Sequence, residues 1–133
     1  MPRVMLDTDI CVDVIRGRSP TVRSRLERTN RDEVAVSSIV AAELWTGVWK
    51  STQADRSRDA LRAFLAYVAV LDWPSEAATA YGEIRARLER LGQSIGALDL
   101  LIAAHAIHET ATLITRNLSE FRRVRGLKVE SWT

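Results

Sequence analysis

Short apolar runs alternate with longer stretches of helical spacing along this sequence. The runs are typical of buried strands, which we expect at 3–7, 34–36, 68–73, 112–115 and, more briefly, 128–130. Strands that alternate with helices form parallel sheets covered on both faces. The pattern therefore predicts an α/β fold, a three-layer sandwich with a central, mostly parallel sheet. At 133 residues, the chain is expected to form a single domain, 1–133.

The helices between these strands have recognisable ends. Gly17 ends a helical turn that begins near Ile10, and Pro20 suits the first turn of a second helix that runs towards Arg28. Ser37 or Ser38 can cap a third helix. Further helices are predicted at 56–67, 75–91 and 97–109, with a loop at 91–96.

The composition narrows the class of protein. With 47% hydrophobic and 27% charged residues, the chain should fold, and no apolar run is long enough to span a bilayer. We expect a cytoplasmic protein with no membrane partner, and Cys11 alone cannot form an internal disulfide. Nearly all the basic residues are arginines, apart from Lys50 and Lys128. This bias suits phosphate binding, and a GC-rich genome would also produce it.

Acidic and amide side chains follow the predicted strands. Asp7 ends the first strand and Asn117 follows the fourth, so both should lie at the edge where the carboxyl ends of parallel strands meet. Glu43 and Asp99 lie on helices and are flanked by apolar residues, where a solvated charge is not expected. Such hard oxygen ligands suit Mg²⁺ or Mn²⁺. Singly, each residue has a simpler explanation as a helix cap, a solvated acid or a turn former.

Two further pairs invite a functional interpretation. His105 and His108 lie three residues apart on one predicted helix, but they project away from Asp99 and have no third ligand, so a structural or surface role is favoured over zinc binding. Trp45 and Trp49 project away from Glu43. Core packing, a homodimer contact or a partner's binding surface is expected for this pair.

Four blocks of the sequence resemble the PIN-domain family, and within it the VapC toxins of bacterial toxin-antitoxin pairs. They are MLDTDICV, SSIVAAEL, IGALDLLIAAHA and LITRNLSEFRRVRGLKVESW. The resemblance implies a PIN fold and an endoribonuclease that depends on Mg²⁺ or Mn²⁺ and leaves a 5′-phosphate and a 3′-hydroxyl. It also implies tRNA, with initiator tRNA favoured, as the substrate. A homodimer is implied too, as is a small cognate antitoxin whose C-terminal segment covers the acidic pocket.

The resemblance also assigns roles to individual residues. Asp7, Glu43 and Asp99 match the metal-binding acids, and Asn117 stands where many relatives have Asp. Whether Asn117 or Glu120 completes the site is left open. Asp9 and Thr115 are expected to support the metal ligands without binding the ion directly. RNA phosphates are expected to contact a basic group made of Arg116, Arg122, Arg123, Arg125 and Lys128, which could also be a solvated tail.

Two other functions compete with this interpretation. Haloacid-dehalogenase-like phosphatases also end their first strand with Asp-x-Asp, as Asp7 and Asp9 do here. They need a later lysine and a late acidic pair, but Lys50 and Lys128 are poorly placed and the sequence has no such late pair. A PIN module that binds RNA or a protein without cleaving it is the second alternative.

Overall fold

A computed structural model describes residues 2–133 and contains a five-stranded parallel sheet surrounded by α-helices. The strands are β1 (Val4–Leu6), β2 (Val34–Ser37), β3 (Ala69–Leu71), β4 (Thr112–Ile114) and β5 (Lys128–Glu130). The α-helices are α1 (Thr8–Arg16), α2 (Pro20–Arg28), α3 (Ser38–Lys50), α4 (Ala54–Tyr67), α5 (Ala78–Arg90), α6 (Ala97–His108) and α7 (Leu118–Phe121). Short 3₁₀ turns at Arg31–Glu33 and Ser75–Ala77 complete the described elements.

The sheet has the strand order β3-β2-β1-β4-β5 and is parallel throughout. In this order β1 lies in the centre, and Val4 is in register with Val34 on one side and with Thr112 on the other. The carboxyl ends of β1 and β4 are therefore neighbours. The expected α/β sandwich with a central parallel sheet is confirmed.

The helices form two packed groups. Helices α1 to α4 contact one another, and α5 packs against α6. The chain runs from β1 through β2 to β3 in one direction and then returns across the sheet to β4. Right-handed crossovers therefore put the two groups on opposite faces. Buried aliphatic side chains between these layers form one continuous core.

Local sequence signals set the helix ends that border the site. The Asp7 carboxylate accepts a hydrogen bond from the Thr8 backbone N–H and caps α1, and Gly17 ends that helix with a φ of 64°. The Ser37 hydroxyl accepts from the Ile39 N–H and caps α3. The strand that precedes each of these two helices thus leads directly into a capped helix.

Several boundaries differ from the sequence predictions, among them the first helix, which begins at Thr8 and not near Ile10. The strand predicted at 68–73 is shorter, because the Trp73 N–H donates to Ser38 Oγ at 3.0 Å and not to a strand. The helix predicted at 75–91 begins with a 3₁₀ turn after Pro74, and its α-helical part ends at Arg90. The helix predicted at 56–67 begins at Ala54. The sequence analysis missed α7, which has only four residues and so no measurable periodicity.

Candidate active site

Asp7 lies at the centre of the site, where β1 passes into α1. Its backbone N–H donates to the Ile114 carbonyl at 2.9 Å, which ties the end of β1 to β4. One carboxylate oxygen accepts from Thr8 N at 2.8 Å, and the other accepts from the Thr115 hydroxyl at 2.7 Å. Only 6% of the residue is exposed. Asp7 is therefore held by three partners from two segments.

Burial raises the pKa of Asp7 from 3.8 to about 7. The negative charges of Asp9 and Asp99 contribute to this rise in the pKa, and the hydrogen bonds from Thr115 and Thr8 oppose it. A carboxylate with this pKa is protonated in about half of the molecules at neutral pH. A nearby cation would favour its ionised form.

Glu43 and Asp99 approach this site from two helices. Glu43, on α3, accepts a hydrogen bond from the Thr8 hydroxyl at 2.7 Å. Asp99 lies in the first turn of α6, and the pKa of its carboxyl is raised by partial burial and then by the charges of Glu43, Glu120 and Asp9. The acids of α1, α3, α6 and α7 therefore act on one another electrostatically.

Asn117 is joined to Asp7 through Thr115. The Asn117 N–H donates to Thr115 Oγ1 at 3.0 Å, and the same hydroxyl donates to Asp7. The Asn117 side-chain amide donates to a Glu120 carboxylate oxygen at 2.8 Å. In this arrangement Asn117 orients Glu120, whose charge reaches Asp99. Both residues left open by the sequence thus lie in one hydrogen-bonded chain.

Asp9 and Arg116 form a second polar group beside the first. The backbone N–H of Arg116 donates to Asp9 Oδ2 at 3.2 Å. The side-chain Nε of Arg116 lies 3.6 Å from Asp9 Oδ2 and 3.5 Å from Asp13 Oδ2. Asp13 is buried, and the sequence analysis did not select it. Its spacing of four residues from Asp9, on one face of α1, is the signal that could have found it.

The donor set fits a divalent cation. Asp9 Oδ1 is buried without a hydrogen-bond partner, and the neighbouring carboxylates repel one another, so a positive ion would compensate both costs. Within residues 2–133, no three acid, histidine or cysteine side chains converge closely enough to enclose an ion. A divalent cation here would therefore be held by one or two carboxylates, with water completing the coordination.

The remaining predicted site residues are the five basic side chains expected to bind RNA. The side chains of Arg122, Arg123, Arg125 and Lys128 are exposed, and Arg123 also donates from Nη1 to the Ser94 carbonyl at 3.2 Å. Arg116 is the basic residue of the predicted RNA-binding group that contacts Asp9 and Asp13.

The members of the histidine and tryptophan pairs differ in burial. His105 is buried with Nδ1 2.7 Å from Ser37 Oγ, and His108 is exposed. The rings of Trp45 and Trp49 stack with centroids 6.1 Å apart, and Trp49 is 66% exposed. Burial therefore supports the structural role expected for His105.

Sequence comparisons identify relatives over nearly the whole chain. Residues 4–127 match the PIN domain family. The chain is 43% identical to "Ribonuclease VapC2" of Rickettsia felis over 129 residues, which cover 96% of each chain. It is 38% identical to "tRNA(fMet)-specific endonuclease VapC" of Shigella flexneri over 133 residues, which cover 100% of each chain.

Solved structures agree with this assignment. A crystal structure of VapBC2 from Rickettsia felis bound to a promoter DNA fragment matches with a TM-score of 0.91 and 41% identity over 98% of each chain. DNA-bound VapBC from Salmonella typhimurium matches with a TM-score of 0.94 and 35% identity over 100% of each chain. In the described part of this chain, residues 2–133, no helix is both long and apolar enough to cross a membrane.

The match to the family over residues 4–127 and the similarity to these relatives show that the chain belongs to the PIN-domain family and, within it, to the VapC ribonucleases.

Proposed function

We propose that this protein is the endoribonuclease toxin of a toxin-antitoxin pair and that it cleaves tRNA, with initiator tRNA as the favoured substrate. The observation that carries the proposal is the buried Asp7 carboxylate, with its pKa raised to about 7. It lies at the end of β1, where β1 pairs with β4, and its site includes Glu43 and Asp99. A relative over the full chain, from Shigella flexneri, is a tRNA(fMet)-specific endonuclease. The haloacid-dehalogenase-like phosphatase alternative is inconsistent with the PIN family match.

PIN-domain nucleases generally depend on divalent metal ions, and we propose Mg²⁺ or Mn²⁺ for this one. Asp7, Glu43 and Asp99 would hold the ion, one or two of them directly and the rest through its bound water molecules. When bound, it would acidify water and neutralise charge on the phosphodiester.

The neighbouring residues position these acids. Thr8 donates to both Asp7 and Glu43, and Thr115 fixes the second oxygen of Asp7. Asn117 holds Glu120 near Asp99, and Asp9 contributes a further negative charge. We assign RNA phosphate binding to Arg122, Arg123, Arg125 and Lys128, and to Arg116 once it is released from Asp9.

The similar structures are VapBC complexes, and a cognate VapB-type antitoxin is the partner of this chain. A groove of about 260 Å³ between α1, α3 and α4 ends at Glu43 and offers an antitoxin segment a route to the acids. Thr8, Leu44, Gly47 and Arg56 are among its lining residues. We further propose that the toxin acts as a homodimer and as a single domain, 1–133, in the cytoplasm, where its tRNA substrate is found.

The test is cleavage of total tRNA by the purified protein and by its Asp7→Asn variant. We expect discrete fragments with Mg²⁺ or Mn²⁺ from the wild type, and none with EDTA or from the variant. Asp32→Asn is the matched control, because Asp32 is exposed in the 3₁₀ turn before β2, at the amino end of the strands and so opposite the acidic site. Intact RNA with both ions, together with retained RNA binding, would instead favour the non-cleaving PIN module.

A further inference from the structure

A small cleft lies between α5 and the segment that joins α7 to β5, apart from the groove beside Glu43. Its volume is about 100 Å³. The cleft is lined by Glu83, Ile84, Arg87, Leu88, Arg123 and Arg125. We call it the arginine cleft.

The three guanidinium groups of this cleft lack acidic partners. No carboxylate in residues 2–133 lies within 4.0 Å of Arg87, Arg123 or Arg125. Elsewhere on the same helix, Arg85 does pair with Glu89, at 3.4 Å. Glu83 lies one turn before Arg87 in the cleft and still forms no ion pair with it. Three cations facing one carboxylate leave an excess of positive charge that suits an anion.

Short connections join the arginine cleft to the acidic site. Arg123 donates to the carbonyl of Ser94, which lies two residues before Gly96, the N-cap of α6. Two extended residues reach at most about 7 Å. Asp99 is in the first turn of α6, and its carboxylate lies 3.5 Å from where a Cβ of residue 96 would be. The Arg123 N–H also donates to the Glu120 carbonyl of α7 at 3.0 Å.

We infer that the arginine cleft binds an RNA phosphate close to the scissile one and so positions the strand on Asp7, Glu43 and Asp99. The inference rests on the proposed function and names a substrate contact for it, including Arg87, which the sequence analysis did not select. Planar guanidinium groups bind phosphate oxygens through paired hydrogen bonds. The other lining residues, Ile84 and Leu88, are aliphatic and have no ring on which a base could stack. A phosphate is therefore favoured over a base as the occupant.

The first test is tRNA binding by Arg87→Gln and Arg125→Gln, each in the Asp7→Asn background with EDTA so that no RNA is cut. We expect each change to weaken binding about 5-fold and to lower the slope of log affinity against log salt by about 0.7. Arg28→Gln is the matched control, because Arg28 is an exposed arginine on α2, on the opposite face of the sheet. Equal affinity of the cleft variants and the control would overturn the inference.

A further variant tests whether misfolding could be the cause of the weaker binding. Glu83→Gln removes the one carboxylate from the cleft, so it should tighten tRNA binding by about 2-fold, a gain that damage to the fold cannot produce. Unchanged or weaker binding would count against the cleft. So would changes in antitoxin affinity without changes in RNA affinity, which would make this surface a protein contact.

Cleavage kinetics separate this inference from the proposed function. In the wild-type background with Mg²⁺, Arg87→Gln and Arg125→Gln should raise KM about 5-fold and leave kcat near that of Arg28→Gln. If the wild type cleaves RNA and the cleft variants keep its KM, the cleft alone is refuted. If the wild type cleaves no RNA, the proposed function fails, while the binding measurements still decide whether the cleft holds RNA.

Discussion

Replacing Asp7 by asparagine should stabilise the protein at pH 8 in the absence of divalent ions, although it removes the central acid of the site. Burial raises the pKa of this carboxyl from 3.8 to about 7, so ionising it costs more in the folded chain than in the unfolded chain. At about 1.4 kcal/mol for each pKa unit, the cost at pH 8 is slightly above ~4 kcal/mol. Asparagine can still accept from Thr8 and donate to Thr115, so we expect a net gain of about 2–3 kcal/mol.

The sign of the pH dependence follows from proton binding. Between about pH 4 and pH 7 the native wild type binds more protons than its unfolded chain, because its Asp7 pKa is the higher one. The contribution of Asp7 to the free energy of unfolding therefore falls as pH rises through this interval. The difference between wild type and Asp7→Asn should be about 2–3 kcal/mol smaller at pH 5 than at pH 8.

Urea unfolding followed by tryptophan fluorescence, at pH 5 and pH 8 with EDTA, measures this difference. Added Mg²⁺ at pH 8 should then stabilise the wild type and not the variant, because the ion would favour the ionised carboxylate. Asp32→Asn should show neither effect. The reasoning is refuted if Asp7→Asn is the less stable protein at pH 8 in EDTA, or if its difference from wild type is the same at both pH values.

Three further predictions concern residues around the site. Arg116→Gln should lower the free energy of unfolding by about 1–2 kcal/mol, because buried Asp13 loses its counter-charge; Asp13→Asn should recover part of this loss in a double-mutant cycle by urea unfolding. Burial lowers the pKa of His105 below 6.5, so His105 should make the wild type lose stability as pH falls below 6.5. Urea unfolding of His105→Asn between pH 5 and pH 7.5 should show a weaker decline in stability. A decline as steep as that of the wild type would contradict this role. Gly17→Ala should cost about 1–2 kcal/mol, since the position has a φ of 64°, and an unchanged Tm would contradict the strain argument.

The sequence was sufficient to predict the framework of the site. Strand patterns located β1 and β4, and the parallel arrangement made their carboxyl ends neighbours, so Asp7 and Asn117 could be expected at one edge. The apolar surroundings of Glu43 and Asp99 indicated acids that do not face open solvent. The position of Asp7 beside β4 follows from local patterns and from one general property of parallel sheets, whereas Glu43 and Asp99 are only half-buried.

Other contacts could not be predicted because they depend on how distant side chains pack. Sequence periodicity placed His105 on a helix, but its contact with Ser37 joins two elements 68 residues apart. Arg116 belongs to a basic stretch that suggested RNA, and only the fold brings it beside Asp13 on α1. The arginine cleft likewise combines Arg87 of α5 with residues of the segment after α7. No local pattern carries such information.

The pairing of β1 with β4 has a consequence for how the protein is made. The Asp7 N–H binds the Ile114 carbonyl, and its carboxylate binds Thr115, 108 residues later in the chain. A ribosome synthesises the N-terminal half first, so the contacts of Asp7 with Ile114 and Thr115 cannot form until those two residues have been made. Truncated or unfinished chains would lack the assembled acids. Nuclease activity should therefore emerge only after the segment around Thr115 has been made.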